Sequence, residues 1–209
     1  MNNFDDIQTE HDDCAEKEKK SSSSFFHRDD FFDIIEMLLQ SIAVVAVIFM
    51  LLFRFVSVNG SSMNPTLMDK DWLAVSTLSK NYERGDVVIA AQPNERNEVI
   101  VKRVIAFEGE VVDITPQGYV TVNGVVLEEE YVSALIKERG DIKFPHKVTQ
   151  GKVFLMGDNR NESLDSRYGE IGDVSVDYII GKAKVKLFPF GDFIIDKPEY
   201  SIDKGEKNE

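Results

Sequence analysis

The sequence predicts a mainly β body carried behind one membrane-spanning helix, and three observations predict it. From Met37 to Phe53 there are 17 residues without a charge. Past residue 68 the chain breaks into short β-branched runs set apart by Gly, Asn, Asp or Pro, the punctuation of strands. Outside the apolar run no helical period is sustained, a turn near Thr66 to Asp69 excepted.

Residues 1–30 are polar and charged, with four consecutive serines from Ser21 to Ser24, and read as a disordered tail. At about 1.5 Å per residue the uncharged run covers roughly 25 Å, a little short of a ~30 Å hydrocarbon core. Phe31, Phe32, Ile34 and Ile35 lengthen it on one side and Phe55, Val56 and Val58 on the other. The anchor is therefore expected at 31–56, with Asp33, Glu36 and Arg54 near the two interfaces. A cleaved export signal is one rival, but the leader is long and acidic and Val58-Asn59-Gly60 is a poor cleavage site. A buried core helix is another, yet a helix apolar on every side suits lipid better in so small a domain. Lys17, Lys19, Lys20 and Arg28 precede the run, against Arg54 and Lys70 behind it. By a small margin this leaves the N-terminus in the cytoplasm and the body outside the cell membrane.

The body is expected at 57–196. Strands are predicted at 72–75, 86–91, 98–107 and 110–114, then at 118–127 around Asn123-Gly124, a strong hairpin signal. Two more follow at 152–157 and 179–188, the latter alternating Ala183, Val185 and Leu187 against lysines. Residues 111–152 are expected to form a small second β lobe, and 197–209 a loose polar tail.

Composition narrows the function. The net charge of −13 argues against nucleic-acid binding, which needs an excess of Lys and Arg. The single cysteine, Cys14, lies in the N-terminal tail, so the body has neither a disulfide framework nor a thiolate zinc site. His146 is the only histidine of the body; beside Pro145 in "KFPHKVTQ" it reads as a surface residue. A Ser-His-Asp site has little to work with, and no metal-ligand spacing stands out. Paired carboxylates stay open, because acids are plentiful and unpatterned. A phosphate-binding glycine loop is absent.

One feature is odd. Lys102 and Arg103 interrupt the apolar run "VIVKRVIAF", Lys102 on the face of Ile100 and Val104, Arg103 on that of Val101 and Ile105. Both faces are apolar, so periodicity leaves open which cation points inward. Chemistry ranks them: a guanidinium keeps its proton, whereas a desolvated ammonium can lose it near neutral pH. Lys102 is thus the candidate general base for a serine hydroxyl, with a snorkelling strand lysine as the plain alternative.

Four segments taken in order resemble the bacterial type I signal peptidases, membrane serine proteases with a Ser-Lys dyad. "VNGSSMNPTL" is similar to the family's serine box, "YERGDVVIA" to its Arg-Gly-Asp-Val box and "VKRVIAFEGE" to its lysine box. "GDNRNESLDSRYGEIG" is similar to its Gly-Asp-Asn-Arg box. The likeness spans about residues 56 to 174. It implies a signal-peptidase-like fold, Ser62 as nucleophile and Lys102 as general base. It further implies that Ser163 helps position Lys102, that Asp165 and Arg167 form a supporting ion pair, and that Val58 and Val101 line the substrate pockets. Arg84-Gly85-Asp86 then reads as a tight turn rather than an adhesion tripeptide, and Ser61 as turn filler.

The implied activity is removal of signal peptides from exported preproteins, cutting after small residues at −3 and −1, with neither metal nor organic cofactor. Preprotein signal peptides, the lipid bilayer and the export machinery are the implied partners. In one departure, Gly60 stands where part of the family carries a serine hydroxyl as oxyanion donor, so the oxyanion would rely on the Ser62 backbone N–H and a second donor. Self-cleaving repressor-type Ser-Lys proteases are a rival that the anchor disfavours. A tethered β module without activity is a second, disfavoured because both dyad residues are present.

Overall fold

A computed structural model of the chain describes residues 28–78, 80–91 and 98–189, with Ile195, Pro198 and Tyr200. The expected N-terminal tail up to residue 27 lies outside these. The chain divides into two compact units, Met1–Phe49 and Met50–Glu209. The first is represented by helix α1 (Arg28–Leu52), whose 25 residues reach about 37 Å. Its stretch Phe31–Met50 is long and apolar enough to cross a bilayer, and none of it is buried.

Among its described residues the second unit holds eleven strands in two antiparallel sheets. The larger runs β1 (Phe53–Ser57), β2 (Trp72–Ser76), β11 (Ile179–Phe188), β3 (Val87–Ala91), β4 (Val99–Phe107), β9 (Lys152–Met156) and β10 (Val174–Ser175) in spatial order. The smaller runs β7 (Val125–Val126), β6 (Val120–Val122), β5 (Val111–Ile114) and β8 (His146–Lys147), and occupies the segment expected as a second lobe. Asn123-Gly124 turns β6 into β7, both residues at positive φ, as a two-residue hairpin turn requires.

Two expectations need correction. The anchor does not extend to 56: residues 53–56 belong to β1, which pairs with β2 from Phe53↔Ser76 to Ser57↔Trp72. A sheet edge that satisfies the backbone of aromatic and β-branched residues wins over continued helix, and Val56 packs beside Val58 and Leu73. The loose C-terminal tail is wrong at Tyr200, which is only 2% exposed and joins an apolar cluster with Phe154 and Met156. Apart from Pro198 and Tyr200, residues 197–209 lie outside the described residues.

Both faces of the large sheet are covered. Val87 and Ile89 of β3 pack with Met63 and Leu67, while Val88 and Ala90 pack with Val104 and Leu155. This is why "VVIA" shows no alternation. It is also why both cations of β4 are interior, Lys102 at 4% and Arg103 at 0% exposure. A third cluster, with Ile105, Phe154, Val112 and Val120, packs the small sheet against β4 and β9.

Candidate active site

Ser62 is held by its neighbours. Met63 and Leu67 are fully buried, and Leu67 donates its amide to Met63 O at 2.9 Å, so a turn after β1 is pinned to the core by two apolar side chains. Val58 and Lys70 close its base through Val58 N–H to Asp71 O (2.8 Å) and Lys70 N–H to Val58 O (2.9 Å). The hydroxyl of Ser62 is left at the wall of a cleft of about 570 Å³. Its walls are formed by Val56 to Ser62, by Glu98 and the first residues of β4 through Lys102, and by Glu162, Leu164 and Ile171. Val58 and Val101 both line it; His146 does not, being paired at 2.8 Å with Asp173.

Lys102 Nζ donates to Ser62 Oγ at 2.7 Å. Burial pushes this amine down to about 8, the nearby carboxylates of Asp165 and Asp158 oppose the shift, and Arg167 adds to it. The two carboxylates are neutralised by their own partners. Arg167 meets Asp165 through Nε at 2.8 Å and Nη2 at 2.9 Å, and Arg103 meets Asp158 at 2.9 and 2.6 Å. All four side chains are at most 1% exposed.

The loop after β9 grips the serine turn. Asn159 donates its amide to Ser62 O at 3.0 Å and its side-chain amide to Ser61 O at 3.2 Å. Gly157 makes this approach possible, since a Cβ there would lie 2.2 Å from Ser163 Oγ and 2.5 Å from Ser62 O. Ser163 itself is buried, and its Oγ has no hydrogen-bond partner among the described residues; it does not bond Lys102 in this conformation. Ser61 Oγ is occupied by Glu162 at 3.1 Å. The amide of Gly60 is taken by Asp69 Oδ1 at 2.9 Å, whereas that of Ser62 has no partner among the described residues. Arg84, Gly85 and Asp86 form a structural turn: Arg84 clasps Glu110 and Asp86 accepts from Glu83 N–H.

The profile of a family described as signal peptidase, peptidase S26, matches residues 31–188. The chain belongs to that family. A signal peptidase I of Bacillus amyloliquefaciens is 40% identical over 153 residues, 68% of this chain and 77% of that one. Signal peptidase I T of Bacillus subtilis (strain 168) is 39% identical over the same length and coverage. A solved signal peptidase I from Enterococcus faecalis V583 aligns with a TM-score of 0.41 and 28% identity, covering 49% of this chain and 96% of that one. As a signal peptidase family member the chain is a serine peptidase, and α1 is consistent with anchoring in a membrane.

The family motifs also contain residues to which sequence reasoning gave no role. Asp158 and Arg160 stand inside the Gly-Asp-Asn-Arg segment, and Arg103 was weighed only as the rival of Lys102. The structure pairs Asp158 with Arg103, and Arg160 with Glu129 at 2.6 Å. Tyr131 and Tyr200 carried no signal; their meeting depends on contacts across the fold.

Proposed function

We propose that this signal peptidase works through a Ser62–Lys102 dyad and cuts preproteins after small residues at −3 and −1. The observation that carries the reading is the 2.7 Å contact between Lys102 Nζ and Ser62 Oγ in the wall of an open cleft. Neutral Lys102 takes the proton of Ser62 as Oγ attacks the scissile carbonyl. The free amide of Ser62 is the first donor to the oxyanion, and Gly60, already bonded to Asp69, is not the second. The ammonium of Lys102 then protonates the departing amine, leaving an acyl ester on Ser62. Lys102, neutral again, deprotonates a water that frees the signal peptide. Ser163, buried beside Ser62 and without a partner among the described residues, is the group to receive the amine during this cycle. An extended substrate between the two cleft walls gains main-chain hydrogen bonds, with Val58 and Val101 against its small residues.

Preprotein signal peptides, the bilayer and the export machinery are the partners of this reading, and the catalytic unit faces outward from the cell membrane. The test is cleavage of a preprotein bearing an Ala-x-Ala site by detergent-purified protein, with the cut mapped by mass. Cleavage after the second Ala, abolished in Ser62→Ala and Lys102→Ala, is expected. Full activity in Lys102→Ala would eliminate the proposed base. Protease added to intact cells is expected to digest the catalytic unit, and digestion only after lysis would overturn the outward orientation.

A further inference from the structure

Three described residues beyond β11 return to the body of the enzyme. Ile195 donates its amide to Lys184 O at 3.2 Å and packs on the cluster that holds Met63 and Leu67. Pro198 and Tyr200 close over Gly85, where a Cβ would lie 3.1 Å from Pro198 Cδ and 3.2 Å from Tyr200 Cε2. The hydroxyl of Tyr200 is 2.8 Å from that of Tyr131. Because Tyr131 donates to Glu129 Oε1 at 2.7 Å, the proton between the two phenols is Tyr200's.

From these contacts the path to the dyad is short. The ring of Tyr131 lies 4.0 Å from the Arg103 guanidinium, which donates through Nη1 to Gly85 O at 2.8 Å. Arg103 thus leans on both groups that Tyr200 holds. Its other nitrogens take the two oxygens of Asp158. Asp158 also accepts from Thr66 Oγ1, on the serine turn, and its neighbour Asn159 bonds Ser62 O.

We propose that Tyr200 is a positioning residue, which through Tyr131 and Gly85 holds Arg103 on Asp158 and so keeps that carboxylate neutralised beside Lys102. The inference rests on the Ser62–Lys102 reading. The charges acting on the amine are Asp165, Asp158 and Arg167, and those around the two phenols are Glu129, Arg103 and Arg160. Loss of the Tyr200 hydroxyl loosens the ring beneath Arg103. Asp158 is then less compensated, and an uncompensated carboxylate stabilises the ammonium of Lys102 over the free base.

The experiment is kcat/KM against pH for the full chain in detergent, as wild type, Tyr200→Phe, Tyr131→Phe and Lys102→Ala, with thermal unfolding alongside. In the wild type the ascending limb is expected near pH 8 and absent in Lys102→Ala. In Tyr200→Phe the limb moves up by about half a unit, which lowers activity at pH 7 about threefold and leaves it near wild type at pH 10. Tyr131→Phe moves it the same way. An equal loss at every pH, with a lower melting temperature, would reduce Tyr200 to a structural clasp and overturn the proposal, as would no loss at all. Where the wild-type limb is present and depends on Lys102, such a failure falls on Tyr200 alone. A wild type lacking the limb would overturn the base assignment and this inference together.

Discussion

Lys102 carries its amine into the interior of β4, where burial lowers it to about 8 while Asp165 and Asp158 pull it upward. On the proposed reading Lys102 acts as general base only when neutral, so activity is expected to rise with pH through that value. The rate constant kcat/KM, measured on a soluble peptide, is expected to climb about tenfold from pH 6.5 to 7.5 and level off above 9. A profile flat across that range would leave Lys102 without the role of base. Gly157 tests the geometry rather than the charge. An alanine methyl there meets Ser163 Oγ and, less yieldingly, the backbone oxygen of Ser62. Displacing a nucleophile by an ångström costs on the order of 100-fold in rate, so Gly157→Ala is expected to lose about that in kcat at every pH. A variant of near wild-type kcat would mean that the grip on the serine turn is dispensable. Ser62 and Lys102, which the structure brings to 2.7 Å, could be singled out in the sequence because each stands in a local motif, a serine before Met and a lysine among β-branched neighbours. Asp158 and Arg103 were not given roles, because an ion pair spanning 55 positions leaves no local trace.

At the scale of elements, β4 is tied to the loop after β9 by Arg103 and Asp158, both fully buried. Removing one member of such a pair strands the other charge away from water. Arg103→Met is therefore expected to cost about 3–5 kcal/mol of unfolding free energy, whereas replacing both with apolar residues recovers most of it. A double-mutant cycle by denaturant unfolding reads the coupling, and additive losses would show that the pair is not the tie. Strands β3, β4, β9 and β11 were readable because β-branched runs between turn residues need no knowledge of the partner strand. The boundary between α1 and β1 was not readable, since Phe53, Phe55 and Val56 continue the apolar character of the helix into the strand. Only the pairing with β2 distinguishes them. The same reason hid the burial of Tyr200: its sequence surroundings are polar, and it is buried against residues far away in sequence, Phe154 and Met156 among them, with its hydroxyl on Tyr131, 69 positions earlier.

On the scale of the whole molecule, the cleft and the apolar stretch 31–49 fall in separate units. All three apolar clusters, both sheets and every residue lining the cleft belong to Met50–Glu209. The named members of those clusters all lie beyond residue 55, so deletion of residues 1–49 is expected to leave the clusters intact. The truncated protein is expected to melt within about 2 °C of the full chain, a difference of at most about 1 kcal/mol for a unit this size. It should hydrolyse a soluble peptide with kcat/KM within twofold of the full chain. On the proposed reading, a membrane anchor would confine enzyme and preprotein to one surface, which raises their effective concentration. Processing of a vesicle-inserted preprotein is therefore expected to fall at least about tenfold in the truncated protein, which also leaves the vesicle pellet on sedimentation. Equal loss on both substrates would instead mean that α1 supports the catalytic unit itself, and retention in the pellet would mean that the β unit binds lipid on its own.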